Sequence, residues 1–312
     1  MSKQATDTIM MIEPVSFGFN EQTATNNYFQ KKDGSVDAPA IQASALAEFN
    51  AMALKLRSKG INLIIVPDTA EPHTPDSIFP NNWISFHENG YIGIYPMCAE
   101  NRRNERRSDI LHQMVKDGFR IYDIHDYSAS ENDNKFLEGT GSMVFDREYK
   151  IAYAALSERT DADLFSRFCT DFGYKAVSFH ANQTVNGQRL PIYHTNVMMC
   201  IADRYAVICL DSIDDLNERK TVTDALASAK KEVIEISEMQ MHHFAGNMLQ
   251  VLNAEGKSFL VMSQSAYDSL DSGQIERLTA HDEIIHIALP TIEKYGGGSA
   301  RCMMAEVFLP RN

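Results

Sequence analysis

One arrangement recurs along this 312-residue chain: two short β-prone stretches joined by a turn, then a helix-prone stretch, then a third β-prone stretch. Residues 83–86 and 91–95 read as strands around Glu88-Asn89-Gly90, since Asn-Gly is a strong hairpin signal. A charged helical stretch at 104–117 ends at Gly118, a favoured residue just beyond a helix, and 119–123 reads as the third strand. The order returns at 142–145 and 151–154, with a helix near 161–172, Gly173 and a strand at 174–179. It returns at 197–201 and 205–210, with a helix at 216–229 and a strand at 232–236. A fourth copy has strands at 248–252 and 258–262, a helix at 264–270 and a strand at 283–287. The remaining pieces are a strand at 305–309 and, from the other end, a strand at 9–12, a helix at 40–58 and a strand at 62–66. Joined, they complete a fifth copy. Self-similarity at a period of roughly 50–60 residues is the mark of a repeat architecture. Closing a ring with both ends protects the strand edges of the terminal unit. The fold expected is one α/β domain over 1–312, a five-bladed propeller of pseudo-fivefold ββαβ units, favoured over a plain α/β sandwich of the same pieces.

Such a ring turns the equivalent ends of its units toward one central pocket, so the polar residues there are the candidates for chemistry. They are Asp76 to Trp83, Phe136 to Gly141, Tyr193 to Asn196, His242 to Asn247 and Gly296 to Cys302. One cluster holds Glu138, one His194 and one Cys302. A thiolate is a strong nucleophile when its pKa is lowered, and a neighbouring histidine can shuttle protons near neutrality. Gly297 and Gly298, in the run before Cys302, let backbone approach a ligand closely. Taken singly, Cys302 also reads as a small buried hydrophobe, His194 as a satisfied core histidine and Glu138 as a turn carboxylate. Their coincidence at equivalent unit ends favours a nucleophilic set.

The formal net charge of −13 argues against a nucleic-acid partner or an anionic membrane surface. The five cysteines are widely spaced with no CxxC pair, which suits a reduced compartment rather than a disulfide framework or zinc site. Residues 1–10 lack the apolar core of a signal peptide, and no apolar run is long enough to span a bilayer. A cytoplasmic protein is expected. His242-His243 lacks a third spaced ligand, so no metal and no cofactor are expected.

These residues resemble the pentein, or amidinotransferase-like, superfamily. That superfamily includes arginine deiminases, dimethylarginine dimethylaminohydrolases, amidinotransferases and succinylarginine dihydrolases. The resemblance rests on the Gly-rich turn before Cys302, on His194-Thr195-Asn196 as an HxD-like motif, and on Glu138-Gly139-Thr140-Gly141 as an EGGD-like one. It also rests on Phe79-Pro80-Asn81-Asn82, Leu156-Ser157-Glu158-Arg159-Thr160 and Asn101-Arg102-Arg103-Asn104-Glu105. It covers nearly the whole chain and is greatest to the arginine deiminase-related citrulline-utilisation hydrolases. It implies the five-bladed fold, Cys302 as nucleophile, His194 as proton carrier oriented by Glu138, and a substrate α-carboxylate bound by Arg159 and Arg103, with Phe79 at the pocket. Deiminases carry aspartates where this chain has Asn82 and Asn196, and at the position of Gly141. Paired carboxylates clamp a cationic guanidinium, whereas asparagine offers both acceptor and donors and suits a neutral ureido group. The reaction expected is therefore hydrolysis of citrulline to ornithine, carbon dioxide and ammonia through a covalent cysteine intermediate. Arginine deiminase, dimethylarginine hydrolase, amidinotransferase and an inactive ligand-binding ring are the alternatives. The expected partner is a small amino acid, with a homodimer left open.

Overall fold

The computed structural model describes residues 3–32 and 34–311. Its strands form five three-stranded sheets of one design and a separate two-stranded ribbon. In each three-stranded sheet the middle strand pairs antiparallel with one neighbour and parallel with the other. In the first repeat Tyr91–Ile94 lies between Ile84–Phe86 and Asp123–Asp126. Ile151–Ala155 lies between Val144–Asp146 and Lys175–Phe179, and Tyr205–Ile208 between Met199–Ile201 and Glu232–Glu235. Ser258–Ser263 lies between Leu249–Leu252 and Glu283–Ile287. The fifth sheet joins the two ends of the chain, as the repeat required. Thr8–Glu13 pairs antiparallel with Ala305–Glu306, Ile9 opposite Glu306, and parallel with Asn62–Pro67.

A parallel neighbour needs a crossover, and each repeat supplies one through helix. The helix Ala162–Phe172 shows why. Asp161 caps its first turn by accepting from Leu164 N, and Gly173 ends it at φ +69°. Leu164, Phe165, Phe168, Cys169 and Phe172 are buried at helical spacing, giving one apolar stripe. Phe168 stacks on Phe145 of the sheet with ring centroids 5.3 Å apart.

Three expectations are corrected. The helix expected at 104–117 is instead a 3-10 turn, Glu100–Glu105, and an α-helix, Ser108–Lys116. Arg106 and Arg107 between them are extended because their guanidiniums are held elsewhere, Arg106 by Glu131 and Arg107 by Pro67 O and Asp109. The third strand of that repeat begins at Asp123 rather than 119, since Phe119 is drawn away to bridge Arg311. The fourth crossover has a second helix, Ser272–Thr279, started by a capping box at Asp271. The ribbon Asn182–Val185 with Gln188–Pro191 is an addition to the third repeat, turned by Asn186 and Gly187 at φ +50° and +78°. Among the described residues no helix is long and apolar enough to cross a membrane.

Candidate active site

In four of the five three-stranded sheets the outer antiparallel strand is entered through a short helical turn: Pro80–Asn82, Gly139–Ser142, Thr195–Met198 and Ala300–Met303. The fifth is entered through residues 244–248. Hydrogen bonds stitch these entries in series. Thr140 Oγ1 donates to Asn81 O (3.3 Å), Thr195 Oγ1 to Ser142 O (2.5 Å), Asn247 Nδ2 to Asn196 O (2.9 Å), and Arg301 N to Asn247 Oδ1 (3.1 Å). The last turn then packs against the first. Chain positions more than 200 residues apart thus surround one cavity, walled by Cys302, His194, Asn82, Phe79, Asp76, Arg102, Arg159 and residues 296–298 among others.

Cys302 is buried, with two side-chain amides aimed at its sulfur. Asn247 Nδ2 lies 3.2 Å and Asn196 Nδ2 3.6 Å from Sγ. His194 Nε2 is 2.7 Å from Glu138 Oε2, and Cys98 N donates to the other oxygen at 2.9 Å. Burial would raise the Glu138 carboxyl, but Arg159, 3.5 Å away, together with His194 holds it well below the usual carboxylate range. Burial likewise pushes the His194 imidazole down, to about 4, against the opposing pull of Glu138. The resting pair is therefore a neutral imidazole on a carboxylate.

That pairing predicts a pH dependence of stability. The unfolded imidazole titrates near 6.5 and the folded one near 4. Between these values the unfolded chain binds more protons, so stability from this group is complete above about pH 6.5 and lost as pH falls through 4. The loss amounts to on the order of 3 kcal/mol. Urea unfolding of wild type and His194→Gln from pH 7.5 to 4 measures it. An identical slope in both proteins rejects the assignment.

Not every expected site residue takes the place the sequence suggested. Asn82 lines the cavity, where Arg102 Nη1 donates to its Oδ1 at 2.8 Å and leaves its Nδ2 without a partner. Asn196 does not line the cavity. It stands at the sulfur, its Oδ1 unpartnered, so the expected clamp of two asparagines on one substrate group is replaced by one on the wall and one behind Cys302. Arg103, expected to face the substrate, is turned away: its Nε donates to Met97 O and lies 3.5 Å from Glu131. Its neighbour Arg102, 2% exposed, takes the inward position, held by both oxygens of Glu105. Arg159 does line the cavity, with its guanidinium over the Tyr193 ring. Phe79 packs against the glycine turn so closely that a Cβ at Gly298 would lie 2.9 Å from its ring. A Cβ at Gly141 would lie 2.4 Å from Asn82 Nδ2 and 2.7 Å from His194 Nδ1, so a side chain there has no room.

Sequence reading passed over Asp76, Asn247 and Arg102, although all three lie in the stretches it singled out. Asp76 is buried beside the cavity, with Oδ1 unpartnered and Oδ2 accepting from Asn20 Nδ2 (2.7 Å) and Thr23 Oγ1 (3.1 Å). It also passed over a strap, residues 20–32, that closes the cavity. Arg159 Nε donates to Asn26 Oδ1 (2.8 Å) and Nη2 to Thr23 O (2.8 Å). Asn27 Nδ2 reaches Gly297 O (3.4 Å), and Gln30 Nε2 reaches Tyr295 O (2.9 Å). So closed, the cavity keeps about 10 Å³ of free space, room for one water. Among the described residues no group of His, Cys, Asp and Glu is placed to hold a metal.

The fold is similar to that of ArgZ, an arginine dihydrolase from the ornithine-ammonia cycle in cyanobacteria, with TM-score 0.74 and 17% identity over 98% of this chain and 41% of ArgZ. This chain thus spans about two fifths of the length of that relative. It overlays the separate N-terminal domain of ArgZ, bound to substrate, with TM-score 0.71 and 17% identity over 96% and 97% of the two chains. A dimethylarginine dimethylaminohydrolase, seen as an adduct with S-methyl-L-thiocitrulline, gives TM-score 0.64 and 15% identity over 96% and 98%. No curated protein sequence matches. The family model described as N,N dimethylarginine dimethylhydrolase, eukaryotic, matches residues 13–309, nearly the whole chain. The chain belongs to that family, a hydrolase family of the pentein superfamily.

Proposed function

We propose that the chain is a single catalytic domain, a five-bladed propeller, that hydrolyses the ureido group of citrulline or a close analogue. The observation that carries the substrate is the orientation of Asn82. Arg102 engages its carbonyl, so the atom it offers the cavity is the Nδ2 donor. A donor suits a ureido carbonyl oxygen and meets only further N–H groups on a guanidinium.

In this reading Cys302 Sγ attacks the ureido carbon and its proton passes to neutral His194, whose new charge Glu138 stabilises. The imidazolium returns that proton to the departing nitrogen, which leaves as an amine. Asn82 Nδ2 holds the oxygen as charge gathers on it, while Asn196, behind Cys302, keeps its amide on the sulfur. His194 next takes a proton from water as the water displaces sulfur, and passes it to the departing thiolate, which restores Cys302 and the neutral imidazole. The carbamate released breaks down, so that citrulline and one water give ornithine, carbon dioxide and ammonia.

The strap supports the location of the amino-acid head. Asn26 Oδ1 and Thr23 O sit on Arg159 as a carboxylate would, while Asn20 and Thr23 donate to Asp76 as an ammonium would. Substrate enters as the strap lifts, its carboxylate taking Arg159 and its ammonium the unpartnered Asp76 Oδ1. A second reading, removal of an amine from arginine or dimethylarginine, is favoured by the family and by Asp76, whose buried carboxylate is an acceptor suited to a cation. An amine-release assay with citrulline, arginine and dimethylarginine side by side separates the two. Ornithine from citrulline at the highest kcat/KM is expected; citrulline as the end product from either guanidino compound establishes the second reading instead.

A further inference from the structure

Asn247 does not line the catalytic cavity, yet its fully buried amide meets the reacting atom. Its Nδ2 donates to Cys302 Sγ at 3.2 Å, and Sγ donates to its Oδ1 at 3.6 Å. We propose that Asn247 is the positioning residue of the nucleophile, fixing where Sγ stands when it attacks and when it is displaced. The inference rests on Cys302 as nucleophile and on no particular substrate.

Three independent observations point to this role. The first is that the amide's orientation is fixed without the sulfur. Nδ2 donates to Asn196 O at 2.9 Å, and a carbonyl only accepts; Oδ1 accepts from Arg301 N at 3.1 Å, and a backbone N–H only donates. The amide is pinned between two neighbouring repeats, and a flip would leave both bonds unmade. The second is the contrast with Asn196. Its Nδ2 also reaches Sγ, at 3.6 Å, but its Oδ1 has no partner, so no second bond holds that amide in place. The third is the backbone that delivers Asn247. The corresponding segments of the other four sheets are helical turns; here Phe244 holds φ +64°, a left-handed conformation that a bulky residue adopts only under constraint. Asn247 N closes the bend by donating to Phe244 O at 2.8 Å. Gly246 is pressed against the third repeat, where a Cβ would lie 2.3 Å from Val197 O. Strain of this kind gathers where a functional side chain must be aimed.

A cysteine thiol has three staggered positions about its first side-chain torsion. A donor and an acceptor fixed by backbone select one of them. Sγ must bond the substrate carbon in the first displacement and leave it in the second, and a misplacement of about 1 Å costs on the order of 100-fold in rate. Because the Asn247 amide is tied to the main chain of two repeats, it keeps its place through the covalent stage, and the sulfur returns to where it set out.

Asn247→Ala and Asn247→Ser test this. Should the alanine variant fail to fold, the serine hydroxyl can still serve one backbone neighbour, yet it cannot span both and the sulfur. Tyr205→Phe is the control for lost stability alone, since it gives up a buried bond to Asp282 outside the cavity lining. On whichever substrate the wild type turns over, the Asn247 variants should lose about 100-fold in kcat with KM changed by less than about threefold, because the place of the sulfur counts in the chemical step. Alkylation of Cys302 by iodoacetamide, read by mass on its peptide, should slow by at least about threefold as the thiol spreads over its rotamers. That measurement needs no substrate: slowed alkylation in a protein that turns over no ureido or guanidino compound upholds Asn247 and rejects the hydrolase reading. Tyr205→Phe should match the wild type in kcat and in alkylation. Unchanged alkylation in the folded Asn247 variants, a loss shared with Tyr205→Phe, or a loss carried by KM with kcat intact overturns the proposal.

Discussion

Cys302→Ala should reduce amine release from every substrate by roughly 10⁴-fold or more. The variant removes only Sγ, and the fold around it is held by other groups: Cys302 N donates to Ser299 O, and Asn247 keeps its bonds to Asn196 O and Arg301 N. Thermal unfolding should therefore change little, so that lost activity is not lost structure. Wild type quenched during turnover should carry an added mass on the peptide bearing Cys302, and the variant none. Turnover that survives the substitution eliminates the covalent mechanism whatever the substrate proves to be.

Asn82→Asp should invert substrate preference. It exchanges the one donor aimed into the cavity for a carboxylate oxygen, with Arg102 still engaging the other. A ureido oxygen then faces an acceptor, and a guanidinium gains one. A reversed hydrogen bond with a change of charge is worth about 3 kcal/mol, so the ratio of guanidino to ureido kcat/KM should rise by on the order of 100-fold. Asn196→Asp should behave differently. It puts a negative charge beside Sγ, 3.6 Å from the present amide, and so should lower kcat on both substrate classes alike. Side-by-side kinetics of the two variants decide the matter. Equal ratios in wild type and Asn82→Asp rule out the orientation of Asn82 as the source of selectivity.

The contrast between these asparagines shows where sequence reading stops. Repeats were legible because each local signal acts alone: Asn89-Gly90 turns a hairpin, Asp161 starts a helix, Gly173 ends one. The link between residues 9 and 306 was legible because two incomplete units had one completion. Cys302, His194 and Glu138 stood at equivalent unit ends, and the fold brings those ends together. What a side chain does within its turn was not legible. Arg102 and Arg103 are adjacent in one basic run, and only the 3-10 winding of Glu100–Glu105 turns one toward Glu105 and Asn82 and the other toward Met97. Asn247 reaches the sulfur from another repeat. The strap has neither periodicity nor a run of turn residues; its order comes from polar bonds to Asp76, Arg159 and the glycine turn, all distant in sequence.

The sheet that pairs Ile9 with Glu306 also sets a schedule. During synthesis the strand Thr8–Glu13 has its parallel neighbour Asn62–Pro67 soon after it emerges, yet its antiparallel edge stays bare until Ala305–Glu306 has been made. Contacts of such sequence separation form late, since loop closure must precede any gain from them. Cys302 lies just before Ala305–Glu306, so His194, Glu138, Arg102 and Arg159 all precede it in the chain and can be assembled before its thiol joins them. A chain halted or cut before Gly296 would hold most of the pocket wall without the Cys302 thiol, so the pocket is complete only once Thr8–Glu13 has paired with Ala305–Glu306.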